Sequence, residues 1–106
     1  MDRIKILLEF IEDEPNDPFN IYAVAIEYQK KDSRKALQYF ENLLTNFPSY
    51  LATYYTAGKF LEEEIEDYGK AVKVYQKGIE LAIEQKQEKA EKELQTALTN
   101  LLFELD

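Results

Sequence analysis

The fold is decided by the stretch PFNIYAVAIEYQKKDSRKALQYFENLLTNFP at residues 18–48, because its pattern occurs a second time downstream. Shifting the chain on itself by 33 residues superposes the first segments of the two copies: Ile21/Tyr54, Tyr22/Tyr55, Ala25/Gly58 and Tyr28/Leu61. A shift of 35 residues superposes the segments that follow: Ala36/Ala71, Leu37/Val72, Phe40/Tyr75 and Leu44/Ile79. A period of about 34 residues is typical of helical repeats that bury their faces by stacking.

Apolar residues along the whole chain recur three and four residues apart, which is the spacing of an amphipathic helix. No window alternates with period two for long enough to predict a strand. Asp17 and Pro18 are placed to cap and open the second helix. Pro48 ends the third helix, Ser49 is placed to cap the fourth, and Asp67 is placed to cap the fifth. The pattern predicts an all-α fold of about six helices, at residues 2–13, 18–30, 33–47, 50–65, 68–85 and 88–104.

The repeated unit resembles the tetratricopeptide repeat, in which large, small and aromatic residues alternate at fixed places on two helices. The first repeat supplies Ile21, Ala25, Tyr28, Ala36, Phe40 and Pro48. The second supplies Tyr54, Gly58, Leu61, Tyr68, Ala71, Tyr75 and Gly78. The resemblance implies a right-handed helical superhelix, an α-α solenoid, as a single domain over residues 1–106. It consists of a half-repeat helix at 1–15, repeat 1 at 18–48, repeat 2 at 50–85 and a capping helix at 88–104.

The chain departs from the family pattern in the turn inside each repeat, where the usual glycine is missing. The first turn, at residues 31–32, is a residue short, and the second, at residues 64–66, is a residue long. The second repeat also lacks a closing proline, because Ile83 stands at that place. We therefore expect its second helix to run past the usual length.

Most of the aromatic residues are predicted to fill the core. Tyr28, Phe40, Phe60 and Tyr75 are expected to pack against other side chains. Glycine inside a helix costs about 1 kcal/mol relative to alanine, so the two glycines on helix stripes need a close contact to explain them. These are Gly58 and Gly78.

The family resemblance implies that the first helix of each pair lines a concave groove in which ligands bind. The residues predicted to face it are Phe19, Tyr22, Ile26, Lys30, Tyr55 and Lys59. Exposed aromatic and apolar residues with nothing to pack against mark a contact surface. The strip would receive an amphipathic helix, or an extended peptide with apolar anchors and an acidic group. The alternative is that a terminal helix covers part of the strip.

Some family members bind chaperone carboxylates through a clamp of Lys, Asn and Arg side chains. At the corresponding places this chain carries Tyr22, Ile26, Tyr55, Thr56 and Lys59. Only Lys59 is compatible with carboxylate binding, so that particular function is not supported.

Composition argues against chemistry. The 106 residues include neither histidine nor cysteine, which removes imidazole bases, thiol nucleophiles and Cys/His zinc sites. The acidic run at residues 62–67 is more typical of a solvated helix end than of a cation site. We expect no catalytic residue, no cofactor and no bound metal. Because 21 acidic residues face 13 basic ones, nucleic acid and membranes are not expected as partners, and the cytoplasm is the expected location.

The sequence therefore predicts a non-catalytic module for protein–protein interaction that binds a peptide or an amphipathic helix in its groove. The alternative is a structural homo-oligomer, such as a homodimer, that buries the groove or the last helix against its own copy. On that helix Phe103 is predicted to point away from the packing stripe.

Overall fold

The structure, a computed structural model, describes residues 2–106. Within them it contains six α-helices and no strand: α1 (Arg3–Asp13), α2 (Pro18–Tyr28), α3 (Ser33–Asn46), α4 (Ala52–Phe60), α5 (Tyr68–Glu84) and α6 (Glu88–Leu105). A π-helical turn, Leu61–Ile65, continues α4. The predicted all-α class and the predicted helices are confirmed. Met1, the first residue of the predicted half-repeat, lies outside the described residues.

The chain forms two compact units that meet in sequence at Tyr50 and Leu51. The boundary lies within two residues of the predicted division between repeat 1, which ends at residue 48, and repeat 2, which begins at residue 50. Unit 1 contains α1 to α3, and unit 2 contains α4 to α6. Each is described by itself, and the single domain over residues 1–106 stays a prediction.

In unit 1, α2 packs against α1 on one side and against α3 on the other. Its core consists of Ile4, Leu7, Ile21, Val24, Ala25, Ala36, Phe40 and Leu43. Aspartates open all three helices: Asp2 accepts from Ile4 N–H at 3.0 Å, Asp17 from Phe19 N–H at 3.0 Å and Asp32 from Lys35 N–H at 3.3 Å. The predicted cap at Asp17, with Pro18 in the first turn, is confirmed.

In unit 2, α5 packs between α4 and α6, and α6 also contacts α4. Its buried apolar side chains come from all three helices and from the π-turn: Tyr54, Ala57, Phe60, Leu61, Ala71, Val74, Tyr75, Ala82, Leu94, Ala97 and Leu101. Asp67 caps α5 as predicted, accepting from Lys70 N–H at 3.1 Å. The predicted cap at Ser49 is wrong, because Leu51 occupies the N-cap position of α4 and no side chain caps that helix.

Close contacts explain two of the three glycines of unit 2. A Cβ atom at Gly58 would collide with the ring of Tyr75, and one at Gly78 would lie 2.6 Å from Cβ of Tyr54. Gly69 differs, since a Cβ atom there would meet nothing within 4 Å. The predicted packing role of Gly58 and Gly78 is thus borne out by the geometry.

The predicted core aromatics have different environments. Phe40, Phe60 and Tyr75 are buried as predicted. Tyr28 is only half-buried, and its ring stacks on that of Tyr39 with centroids 5.8 Å apart. It is not enclosed because it is the last residue of α2, where the chain turns away.

The end of α5 is sharper than the sequence indicates. Gln87 N–H donates to Ala82 C=O at 2.8 Å and Lys86 N–H donates to Ile83 C=O at 3.1 Å, while Lys86 adopts a φ of 58°. This is the Schellman pattern of helix termination, formed here without glycine. The helix has 17 residues, against 14 in α3, so the prediction of a longer second helix is confirmed.

Candidate functional site

The outward face of α2 and the turn that follows it carry four of the six predicted binding residues. Packing fixes Ile21, Val24 and Ala25 in the core of unit 1. The residues about a third of a turn away on the helix therefore point away from that core. We call Phe19, Tyr22, Ile26 and Lys30 the α2 surface. Phe19 is 59% exposed and Ile26 is 38% exposed.

Tyr22 and Lys30 differ from the expectation. Tyr22 is half-buried, and its ring packs edge-on against that of Tyr50 with centroids 5.8 Å apart at 68°. The expectation that Tyr22 has nothing to pack against is therefore wrong. Lys30 is exposed but lies in the turn beyond α2, which ends at Tyr28 instead of residue 30.

Next to the α2 surface, unit 1 contains an open cavity of about 380 Å³. It is lined by Pro18, Asn46, Phe47, Pro48, Ser49 and Tyr50. Burial is the main cause that raises the pKa of Tyr50, and the neighbouring Tyr22 and Asp17 raise it further. Sequence reasoning did not place Phe47 and Tyr50 in the site, because Phe47 continues the apolar stripe of the third helix and Tyr50 lies on no helix stripe. The cluster of aromatic residues around Pro48 is the signal that could have found them.

The remaining predicted residues, Tyr55 and Lys59, form the α4 surface in unit 2. They lie one helical turn apart and therefore share a face. Tyr55 is 40% exposed, and Lys59 Nζ lies 6.0 Å from the centroid of its ring. This is the outer limit of a cation–π contact, in which the ring attracts the ammonium group. At the repeat offset of 33 residues, Tyr55 corresponds to Tyr22 of the α2 surface.

A cavity of about 270 Å³ opens at the α4 surface. Tyr55 and Lys59 line it from α4, and the other lining residues come from α6: Lys92, Glu93, Thr96, Ala97 and Asn100. An adjoining cavity of about 430 Å³ shares Lys92, Thr96 and Asn100 and adds Gln95 and Thr99. The helix predicted as a cap thus also forms one wall of a candidate site. The sequence signal for this was a row of neutral polar residues at helical spacing.

Three side chains of the acidic run at residues 62–67 accept hydrogen bonds from nearby residues. Glu62 Oε1 accepts from the Tyr75 hydroxyl at 2.9 Å, Glu66 Oε2 accepts from Tyr68 at 3.1 Å, and Asp67 caps α5. Burial, and then the bond to Glu62, raises the pKa of Tyr75. In residues 2–106 no three acidic side chains are grouped so as to hold a metal ion. No helix in the same range has the length and apolar character that crossing a bilayer requires.

Several solved structures resemble the chain. The solution NMR structure of a tetratricopeptide repeat domain protein from Salinibacter ruber is 39% identical, with a TM-score of 0.77, and the match covers 83% of this chain and 89% of that one. A crystal structure from the same organism, also described as a tetratricopeptide repeat domain protein, is 38% identical, with a TM-score of 0.75 and coverage of 80% and 96%.

A third structure supports the fold alone. It is the solution structure of a Bordetella parapertussis protein, which is 20% identical, has a TM-score of 0.80 and gives coverage of 98% of this chain and 90% of that one. No protein-family model and no curated protein matches the chain.

Proposed function

The chain belongs to the tetratricopeptide repeat family, and from that premise we propose that it is a non-catalytic module that binds a peptide or an amphipathic helix of another protein. Interaction with proteins is the general role that this family suggests. The fold itself hosts many functions, so the argument for this chain depends on its surfaces.

The observation that carries the proposal is the exposure of Phe19 and Ile26 on one face of α2. Two large apolar side chains two helical turns apart, 59% and 38% exposed, leave apolar area that a partner would remove from water. Their spacing fits apolar anchors that recur along a bound helix or alternate along a bound strand.

The charged and aromatic members of the proposed site would orient the partner. Lys30 on the α2 surface and Lys59 on the α4 surface would attract an acidic group. Tyr22 packs against Tyr50, so it would present its ring with little loss of conformational freedom on binding, and Tyr55 would present an exposed ring beside Lys59. That the six residues line one groove stays part of the proposal.

The test is peptide selection followed by substitution. A randomised peptide library displayed on phage is selected on the immobilised chain, and the enriched peptides are then titrated by fluorescence polarisation. We expect Phe19→Ser with Ile26→Ser to weaken binding at least tenfold, since truncating central apolar anchors typically costs about 2 kcal/mol or more. Circular dichroism should show unchanged helicity, because both side chains are exposed.

A matched control distinguishes a binding effect specific to this surface from a general effect of removing exposed apolar area. Phe10, on α1, is 49% exposed and lies outside the proposed site, so Phe10→Ser should leave the titration unchanged. Equal weakening by Phe10→Ser, or full binding by the double variant, would refute the proposed surface.

A homo-oligomer is the second candidate function, and the end of α6 favours it. Phe103 is 83% exposed, as predicted, and Leu102 and Leu105 beside it are 47% and 49% exposed. Light scattering at two concentrations tests this candidate: self-association should be abolished by Phe103→Ser and retained in Ile83→Ser. A monomer at high concentration would eliminate it.

Three expectations from composition remain predictions: the cytoplasmic location, and the exclusion of nucleic acid and of membranes as partners.

A further inference from the structure

We propose that α1 of one chain packs antiparallel against α6 of a second copy of the chain. The inference rests on the second candidate function, self-association, and it names the two surfaces that meet. Because these surfaces differ, the contact is heterologous, with α1 of one copy receiving α6 of another. Its residues are distinct from those of the α2 surface and the α4 surface.

The apolar face of α1 is open at a position that is covered in the later repeats. At offsets of 33 and then 35 residues, Phe10 corresponds to Leu43 and then to Gly78. Leu43 is fully buried, and a Cβ atom at Gly78 would lie 2.6 Å from Tyr54 of α4 and 3.1 Å from Leu94 of α6. Phe10 is instead 49% exposed, with α1 packed against α2. This position of α1 can therefore receive a further helix.

The end of α6 offers an apolar surface that fits this open position. Phe103 is 83% exposed, and Leu102 beside it is 47% exposed. On α1, Ile6 lies one helical turn before Phe10 on the same face, and it is half-buried. Contact between the two surfaces would remove these four side chains from water, which is the main driving force for association.

The charges along the two helices favour the antiparallel arrangement. The first turn of α1 contains no acidic side chain and two basic ones, Arg3 and Lys5. The end of α1, at residues 12–14, is acidic, and so is the end of α6, which carries Glu104 and Asp106. Antiparallel packing places the acidic end of α6 beside the basic first turn of α1. Parallel packing, or pairing of two α6 ends, would bring carboxylates together.

The guanidinium group at the start of α1 is accessible to a second copy. Nε of Arg3 donates to Glu27 of α2 at 2.8 Å, while the Arg3 side chain remains 74% exposed. A guanidinium group carries five N–H donors, so others can reach a carboxylate of the partner chain. The contact with Glu27 also restricts the arginine before association, which reduces the side-chain entropy lost in the complex.

The experiment mixes two variants that each lack one of the two surfaces. We expect Phe10→Ser and Phe103→Ser, measured alone by light scattering at high concentration, each to weaken self-association at least tenfold. An equimolar mixture should form a one-to-one dimer, because the intact α6 of the Phe10 variant meets the intact α1 of the Phe103 variant. Ile83→Ser, which alters a 55% exposed side chain of α5, should associate like the parent chain.

The outcomes distinguish this contact from other modes of self-association. A monomeric parent chain, or a mixture of the two variants that stays monomeric, would overturn the inference. If Phe10→Ser associates like the parent chain and Phe103→Ser does not associate, two α6 ends pair with each other. In that case the second candidate function stands and this inference alone fails.

Introduced cysteines report the orientation of the helices, because the chain contains no cysteine of its own. Under mild oxidation, Arg3→Cys mixed with Asp106→Cys should form a disulfide-linked mixed dimer faster than Asp13→Cys mixed with Asp106→Cys. Arg3 and Asp13 are the first and last residues of α1, so the two mixtures compare its two ends. The reverse order of rates would overturn the antiparallel arrangement.

Discussion

The turns inside the two repeats close on the same carbonyl position but enclose different numbers of residues. In unit 1 the C=O of Tyr28 accepts from the N–H of Asp32 at 2.8 Å, and Asp32 caps α3. In unit 2 the C=O of Leu61, the residue that corresponds to Tyr28, accepts from the N–H of Asp67 at 3.0 Å, and Asp67 caps α5. The second turn therefore spans two more residues.

The turn of unit 2 shows how a repeat accommodates inserted residues. Unit 2 winds the extra residues into the π-turn Leu61–Ile65 and reverses at Glu66, which has a φ of 60°. Wider turns of this kind are rare and are commonly found at functional sites. Here the turn brings Glu62 to the hydroxyl of Tyr75, whose counterpart in unit 1 is Phe40. Insertion and hydrogen bond thus occur in the same repeat.

We expect the largest loss of stability when the small residue of unit 1 is introduced at the corresponding position of unit 2. Ala25 corresponds to Gly58, and Gly58→Ala would force a methyl group into the ring of Tyr75. Overpacking of this kind costs about 1–3 kcal/mol. The higher helix propensity of alanine offsets about 1 kcal/mol of this cost, so urea denaturation should show the unfolding free energy falling by up to about 2 kcal/mol. Gly69→Ala is the control: with open space at that position, it should leave stability unchanged or raise it by up to about 1 kcal/mol. Equal stability of both variants would contradict the close contact.

Replacing Tyr75 of unit 2 with phenylalanine, the residue at the corresponding position of unit 1, should change how stability depends on pH. The pKa of Tyr75 is raised above 10.0, so the folded chain keeps a proton that the unfolded chain loses near that pH. Its contribution to stability is complete below about pH 10 and declines as pH rises beyond it. Tyr75→Phe should lower the unfolding free energy by about 1 kcal/mol at neutral pH through the lost hydrogen bond. It should also make the alkaline decline shallower. An identical alkaline decline in Tyr75→Phe and the parent chain would refute this role.

The smallest effect concerns the backbone of the longer turn. A residue other than glycine in the left-handed region costs about 1–2 kcal/mol, and the turn of unit 1 contains no such residue. Glu66→Gly should therefore raise the melting temperature, with a gain of up to about 1 kcal/mol after subtraction of the extra entropy of unfolded glycine and of the exposed hydrogen bond from Tyr68 that is lost. Glu64→Gly, in the same turn but with helical geometry, should lower the melting temperature. The reverse order would contradict the backbone conformation at Glu66.

Local signals predicted the architecture. Asp17, Pro18 and Asp67 cap or open helices through contacts within three residues, so the sequence shows them directly. The repeat offsets of 33 and 35 residues located the insertion before its shape was known. How the insertion is wound depends on packing at Leu61, which is buried, and so the π-turn could not be predicted.

The candidate site was less predictable because its details depend on contacts between distant residues. Helical geometry placed Phe19, Ile26 and Tyr55 on exposed faces correctly. The contact of Tyr22 with Tyr50 joins a helix to a loop residue that follows no periodicity. The position of α6 beside Lys59 depends on how three helices pack. The sequence pattern of a single helix does not contain that information.

Binding of a partner segment to the exposed faces of α2 and α4 is what we propose for this chain. Its most direct test is an NMR titration of the isotope-labelled chain with a peptide enriched in the phage selection. We expect the largest shifts of amide and methyl signals at Phe19, Ile26, Tyr55 and Lys59. Shifts confined to the outer faces of α1, α3 and α5, with these four residues unaffected, would contradict it.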